Sequence, residues 1–189
     1  MPARPVRDKE LIEQAKQGDP HAFGDLYEEH APAVYRYLCT HLENLMDAED
    51  LTAEVFLKAW RSLPNYHERG VPFLVFLFRI AHNTLVDDYR HNHHFEATPA
   101  DEMDCFESYG QAEPAEVSGQ KSEHQQIVGV LSRLKPDYQS VLTLRFINEL
   151  SPAETANAMN RSVGAVRVLQ HRALAALREM LEEADKHEK

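Results

Sequence analysis

Three sets of side chains in this 189-residue chain are spaced for binding rather than for making or breaking bonds. Asp47, Asp50 and Glu54 recur at three- and four-residue steps. On a helix they line one face, an acidic handle for a basic partner. Tyr66 precedes a stretch from Phe73 to Arg90 whose polar edge carries Arg79, Asn83, Val86 and Arg90. Ring, amide and guanidinium together suit unpaired nucleic-acid bases. Further on, Arg167, His171 and Arg172 share the outward flank of a stretch whose inward stripe is Val166, Leu169 and Ala173. An outward arginine can read guanine with two hydrogen bonds or hold a phosphate. The bland alternatives are a helical pair with solvated charges for the first two sets and an ordinary helical hairpin for the third.

No constellation for catalysis stands beside these. The chain has no phosphate loop, dinucleotide fingerprint, HExxH or nucleophile elbow, so no catalytic residue, metal or cofactor is expected and the protein reads as a non-enzyme. His91, His93 and His94 are close together but lack a cysteine or acidic ligand set nearby. A solvated cluster is favoured there over a zinc site. A metal- or ligand-sensing protein built on these histidines is kept as a separate class of reading. Cys39 and Cys105 are far apart and form no ligand pair. With no signal peptide and no apolar run near membrane length, the expectation is a cytoplasmic chain without membrane contact of its own.

Helical periods must position these groups. Long 3.6-residue patterns dominate and strand-like alternation is absent, so the expected class is all-α. Leu11, Ile12 and Ala15 mark a helix ended by Gly18; Asp19-Pro20 then caps the next. Pro32 is expected to kink or split that second helix. Asp47 is expected to cap a third, with Leu51, Val55, Phe56, Ala59, Trp60 and Leu63 inward. Leu63-Pro64-Asn65-Tyr66 stops it, and Phe73, Phe76, Leu77, Ile80, Ala81, Thr84 and Leu85 form the stripe of a fourth.

Charge divides the chain. The whole carries -11; residues 96–123 carry -7 and residues 124–181 carry +3. Only the last has the sign expected of a DNA reader. Five segments follow: a lead-in at 1–7, a helical domain at 8–92, an acidic flexible linker at 93–122, a second helical domain at 123–183 and a tail at 184–189. In the second domain, Tyr138, Val141, Leu142 and Phe146 are expected inward. Ser151-Pro152-Ala153-Glu154 is a capping box. A turn at Asn160-Arg161 and a basic helix follow, with Leu177 and Leu181 extending its buried stripe. Short helix, tight turn and basic second helix describe a helix-turn-helix.

Both halves resemble the extracytoplasmic-function group of the sigma-70 family of RNA polymerase sigma factors. Gly18-Asp19-Pro20-His21-Ala22-Phe23 with Leu26-Tyr27 resembles the opening of region 2. The run from Asp47 to Trp60 is similar to the polymerase-binding helix, and Phe73 to Arg90, with Arg79-Ile80-Ala81-His82-Asn83, to the promoter-melting helix. Leu134-Lys135-Pro136 and Ser151 to Arg178 resemble region 4. The resemblance covers about residues 8–92 and 124–181. It implies that Asp47, Asp50, Glu54 and Phe56 bind core polymerase. It implies that Tyr66, Arg79, Asn83 and Arg90 contact the minus-ten element, with Tyr66 and Asn83 holding a flipped base. It assigns Arg145, Arg161, Arg167, Val168, His171 and Arg172 to the minus-thirty-five element. The implied partners are core RNA polymerase, through its clamp subunit and its flap, promoter DNA, and an anti-sigma protein as inhibitor. The family usually has tryptophan at Phe76 and threonine at Ala165. The competing reading is a helix-turn-helix regulator that acts without polymerase.

Overall fold

The computed structural model describes residues 4–42, 44–67, 70–92 and 129–187. Four helices come first: α1 (Arg4–Lys16), α2 (Pro20–Cys39), α3 (Leu45–Ser62) and α4 (Phe73–Asn92), with a 3₁₀ turn at Leu63–Asn65. The second group is α5 (Pro136–Leu142), prolonged by a π-turn at Thr143–Ile147, then α6 (Pro152–Ala158) and α7 (Val163–His187). No strand occurs among the described residues. The protein is all-α with two helical units, as the hydrophobic periods require. The acidic linker at 93–122, His93 and His94 lie outside the described residues.

Helix boundaries follow local chemistry. Gly18, at φ +93°, turns the chain out of α1. The Asp19 carboxylate accepts from His21 N at 2.9 Å and Ala22 N at 3.4 Å, and Pro20 takes the first turn, where its missing N–H costs nothing. In the capping box, Glu154 N donates to Ser151 Oγ at 3.2 Å and Ser151 N donates to Glu154 Oε2 at 2.7 Å. Ser162 Oγ accepts from Ala165 N at 3.1 Å and starts α7.

Four expectations are corrected. Of the two outcomes expected at Pro32, the split does not occur: α2 runs through it to Cys39. An interior proline costs about 3 kcal/mol, and burial of His30, Val34, Tyr37 and Leu38 on either side of it offsets that. Asp47 does not cap α3: Asn44 does, accepting from Met46 N at 3.0 Å, and Asp47 sits in the first turn. Phe146 is 54% exposed and Leu181 48% exposed, although their spacing placed both inward. The π-turn adds a residue to its turn and swings Phe146 out. The inner stripe of α7 thins beyond Ala173, where only half-buried Ala176, Leu177 and Met180 continue it.

In the first unit, α1 packs on α2, α2 on α3 and α4, and α3 on α4. Leu26, Val34, Tyr37, Val55, Ala59, Leu63, Phe73, Leu77 and Phe78 fill the space between them. Asp8 and His30, 3.1 Å apart, fasten α1 to α2. In the second unit, α7 lies across α5 and α6 over Val141, Leu144, Ala158, Val166 and Ala173. The two units also meet: α6 packs against α4.

Candidate nucleic-acid interface

Asp47, Asp50 and Glu54 are all exposed on α3, on one face as their spacing requires. Glu54 pairs with Lys58 one turn on, 2.8 Å away. The Lys58 amine also donates to Thr84 Oγ1 at 3.0 Å, which ties α3 to α4. Phe56 does not sit on this face. It is 3% exposed, with its ring edge-on to Tyr27 at 4.6 Å and to Phe23 at 6.2 Å. It supports the face from beneath, where an aromatic cluster completed by Trp60 gains about 0.5–1.5 kcal/mol per ring pair.

At the other end of α3 lies a half-open cavity of about 520 Å³. Tyr66 and Phe76 lie side by side in its wall, ring centroids 4.7 Å apart. Tyr66 is only 6% exposed; its hydroxyl donates to the Val71 carbonyl at 2.9 Å, which closes the loop before α4. The Arg79 guanidinium lies 5.7 Å from the Phe76 ring centre. A phenylalanine at position 76 therefore still makes the aromatic wall. Asn65 and His67 add polar groups, and Asn157 adds another from α6.

Asn83 is exposed one turn beyond Arg79 and does not line this cavity. The expected pair of Tyr66 and Asn83 in one pocket is thus not assembled. Asn65, His67 and Arg79 stand with Tyr66 instead. The signal for the first two was their place in the loop immediately flanking Tyr66. Arg90 lies in the last turns of α4, and its side chain falls outside the described residues.

The third set is presented as its spacing foretold. Arg167, Val168, His171 and Arg172 are exposed on α7, with Val168 at 53%, while Val166 and Ala173 are fully buried. Arg145 and Arg161 are employed differently. Arg145 donates from Nε to Gln170 Oε1 at 3.0 Å and from its terminal nitrogen to the Leu150 carbonyl, which brackets α7 against the turn before α6. Arg161 forms an ion pair with Asp137. Burial pushes the Asp137 carboxyl up, and the guanidinium opposes that.

Sequence reasoning missed a seam of buried polar groups between the units. Gln139, Ser140 and Thr143 of the second unit are buried, as are Tyr37, Thr40 and His82 of the first. Tyr37 Oη lies 3.1 Å from Ser140 Oγ and 3.2 Å from His82 Nδ1. His41 Nε2 lies 2.8 Å from Ser140 Oγ, and its Nδ1 lies 2.9 Å from the Tyr37 carbonyl. Thr40 and Thr143 hydroxyls meet at 3.2 Å, and the Gln139 amide donates to the Thr40 carbonyl. Burial lowers both histidines to about 4. Polar residues at helical spacing read as a solvated face until a partner surface covers them.

Among the described residues no group of three His, Cys, Asp or Glu could hold a metal ion, and no helix is long and apolar enough to cross a membrane. Residues 26–95 match the family model described as Sigma-70 region 2, and residues 124–177 match Sigma-70, region 4. The chain is similar to the ECF RNA polymerase sigma factor BldN of Streptomyces coelicolor, 34% identical over 93% of this chain and 66% of that one. It is also similar to the ECF RNA polymerase sigma factor SigD of Mycobacterium tuberculosis, 32% identical over 89% of this chain and 81% of the relative. The solved structure of CnrH in complex with the cytosolic domain of CnrY shares the fold, with TM-score 0.64 and 24% identity over 94% of this chain and 98% of that chain.

Proposed function

Because this chain belongs to the extracytoplasmic-function group of RNA polymerase sigma factors, we propose that it binds core polymerase through α3 and reads promoters through α4 and α7. The observation that carries this reading is the coexistence in one chain of an exposed acidic helix face and an outward basic recognition helix. The acidic face of Asp47, Asp50 and Glu54 docks on basic groups of the polymerase clamp. Phe56 keeps that face in shape. The second unit meets the flap. In the minus-ten element an unstacked base enters the cavity beside Tyr66, Phe76 and Arg79, and Asn83 and Arg90 meet the strand farther along α4. Trapping unstacked bases holds the duplex open, since a base on an aromatic ring gains about 1–3 kcal/mol.

Arg167, Val168, His171 and Arg172 face the minus-thirty-five element. Arg145 and Arg161 act by holding the recognition helix and its turn in place. The protein has no bond-making chemistry of its own and works in the cytoplasm, where polymerase and promoters are. An anti-sigma protein that covers both units would silence it.

The direct test is transcription from promoter templates with and without core polymerase. Promoter-specific transcripts that need both proteins are expected. Specific operator binding that leaves core polymerase undirected would sink the proposal. Arg167→Ala and Arg172→Ala sort the contacts on α7. Loss of a base contact costs about 1–3 kcal/mol and relaxes preference at one position. Loss of a phosphate contact weakens all sequences alike and flattens the salt slope by roughly one unit. Binding to a panel of upstream elements at several salt concentrations separates the two roles. If neither variant alters affinity, preference or salt slope, α7 is not the reader.

A further inference from the structure

We propose that the hydrogen-bonded chain His82–Tyr37–Ser140–His41, buried save for the half-buried His41 at its end, is a proton-sensitive latch that holds the second unit closed over the promoter-melting helix. The proposal rests on the sigma-factor reading for its consequence and on the seam alone for its mechanism.

The closed form cannot be the form that reads a promoter. The minus-ten and minus-thirty-five elements are about 25 base pairs apart, or roughly 85 Å at 3.4 Å per pair. A compact chain of this length has a radius of gyration of roughly 16 Å. The chain between Asn92 and Gly129, at about 3.3 Å per extended residue, is long enough to bridge the difference. In the closed form, moreover, α6 packs on α4, the helix of Arg79 and Asn83, and Asn157 of α6 lines the base cavity. Region 4 therefore sits where melted DNA has to pass.

The seam is built to separate. Its members across the join are Tyr37, Thr40, His41, Gln139, Ser140 and Thr143, and each finds water as readily as it finds its partner. Polar joins of this kind mark units that part reversibly. Hydrogen accounting shows why a proton opens this one. With both rings neutral and protonated at Nδ1, His82 donates to Tyr37 Oη, Tyr37 to Ser140 Oγ, Ser140 to His41 Nε2, and His41 to the Tyr37 carbonyl. Every donor is used once. A proton taken up at His41 Nε2 turns that atom into a donor, so the Ser140 and Tyr37 hydroxyls must turn and His82 must change tautomer, and a positive charge is left in a join whose burial opposes it.

The surrounding charges add to this. Arg161, paired with Asp137, opposes a proton on His82, and His82 opposes one on His41. Tyr37, from α2, is held neutral by burial. On the α3 side, Lys58 is paired with Glu54 and reaches Thr84, two residues beyond His82. The sign follows. Each histidine titrates near 6.5 when open and near 4 when closed. The latch is whole above pH 6.5 and weakens as the pH falls from 6.5 towards 4.

The test is small-angle scattering and circular dichroism of the full free chain between pH 7.5 and 5.5. The closed-to-open ratio should fall about tenfold for each histidine that opening exposes. The radius of gyration should rise while helicity stays constant. His41→Gln with His82→Gln should remove the pH dependence. Ser140→Ala, on the face of the second unit, should leave the chain open already at pH 7.5. Wild type with an unchanged radius across this range overturns the latch, as does a closed Ser140→Ala or a double variant with the full pH response. If the double variant does not fold, Ser140→Ala alone decides. None of these measurements involves polymerase, so failure of the latch and failure of the transcription reading appear in different experiments.

Discussion

Reversing two charges, Asp50→Lys with Glu54→Lys, is expected to weaken binding to core polymerase by about a hundredfold or more. Like charges forced together at an interface cost several kcal/mol, and each 1.4 kcal/mol is a factor of ten. Both side chains are exposed and one turn apart, so the change should leave the core of the first unit intact. The pair between Glu54 and Lys58 is lost as well, but exposed pairs along a helix contribute only about 0.3–0.5 kcal/mol. The buried ring of Phe56 keeps its Tyr27 and Phe23 contacts. Binding isotherms with labelled protein at two salt concentrations measure the effect. The loss should be larger at low salt, where the charges are less screened. Wild-type affinity in the double variant, with helicity preserved, would remove α3 as the docking face.

Phe78→Ala is expected to cost about 3–5 kcal/mol of stability. Phe78 is fully buried on α4, with its ring edge-on to Tyr37 at 5.6 Å. Its removal leaves a hole between α2 and α4, the two helices that carry Tyr37 and His82. For a domain of this size each kcal/mol moves the midpoint by roughly 4–8 °C, so the fall should be on the order of 15 °C or more. Calorimetry on the full chain measures it, with Val168→Ala as an exposed control. A shift under about 3 °C would mean that the space is readily refilled. Transcription by the variant should fail at temperatures where wild type works, because α4 carries Arg79 and Asn83.

The helices, the capping box and the outward basic side of α7 were legible because each depends on residues within a few turns. Val166 and Ala173 inward force Arg167, His171 and Arg172 outward whatever surrounds them. The acidic face of α3 is readable for the same reason. Resemblance to the sigma factors then supplied partners that spacing alone left open.

Several residues lay beyond that reach. Phe56 has the spacing of a core residue, and the family assigned it to the docking face; only its neighbours Phe23 and Tyr27 show that it lies beneath. Pro32 breaks a helix in isolation, and here the buried residues around it keep α2 whole. Tyr66 and Asn83 share the character of base-binding residues, yet the path of the loop places Asn65, His67 and Arg79 at the cavity and Asn83 outside it.

Local periodicity therefore determined what each helix is and which of its sides is apolar, since those depend on 3.6-residue geometry and short-range hydrogen bonds. Tertiary structure decided what the polar sides meet. Gln139, Ser140 and Thr143 look like a solvated face in the sequence. They become buried because Tyr37, Thr40 and His41, about a hundred residues earlier, supply matching hydrogen bonds. A hydrogen-bonding group takes water or a distant side chain with nearly equal net free energy, so its own sequence cannot choose between them.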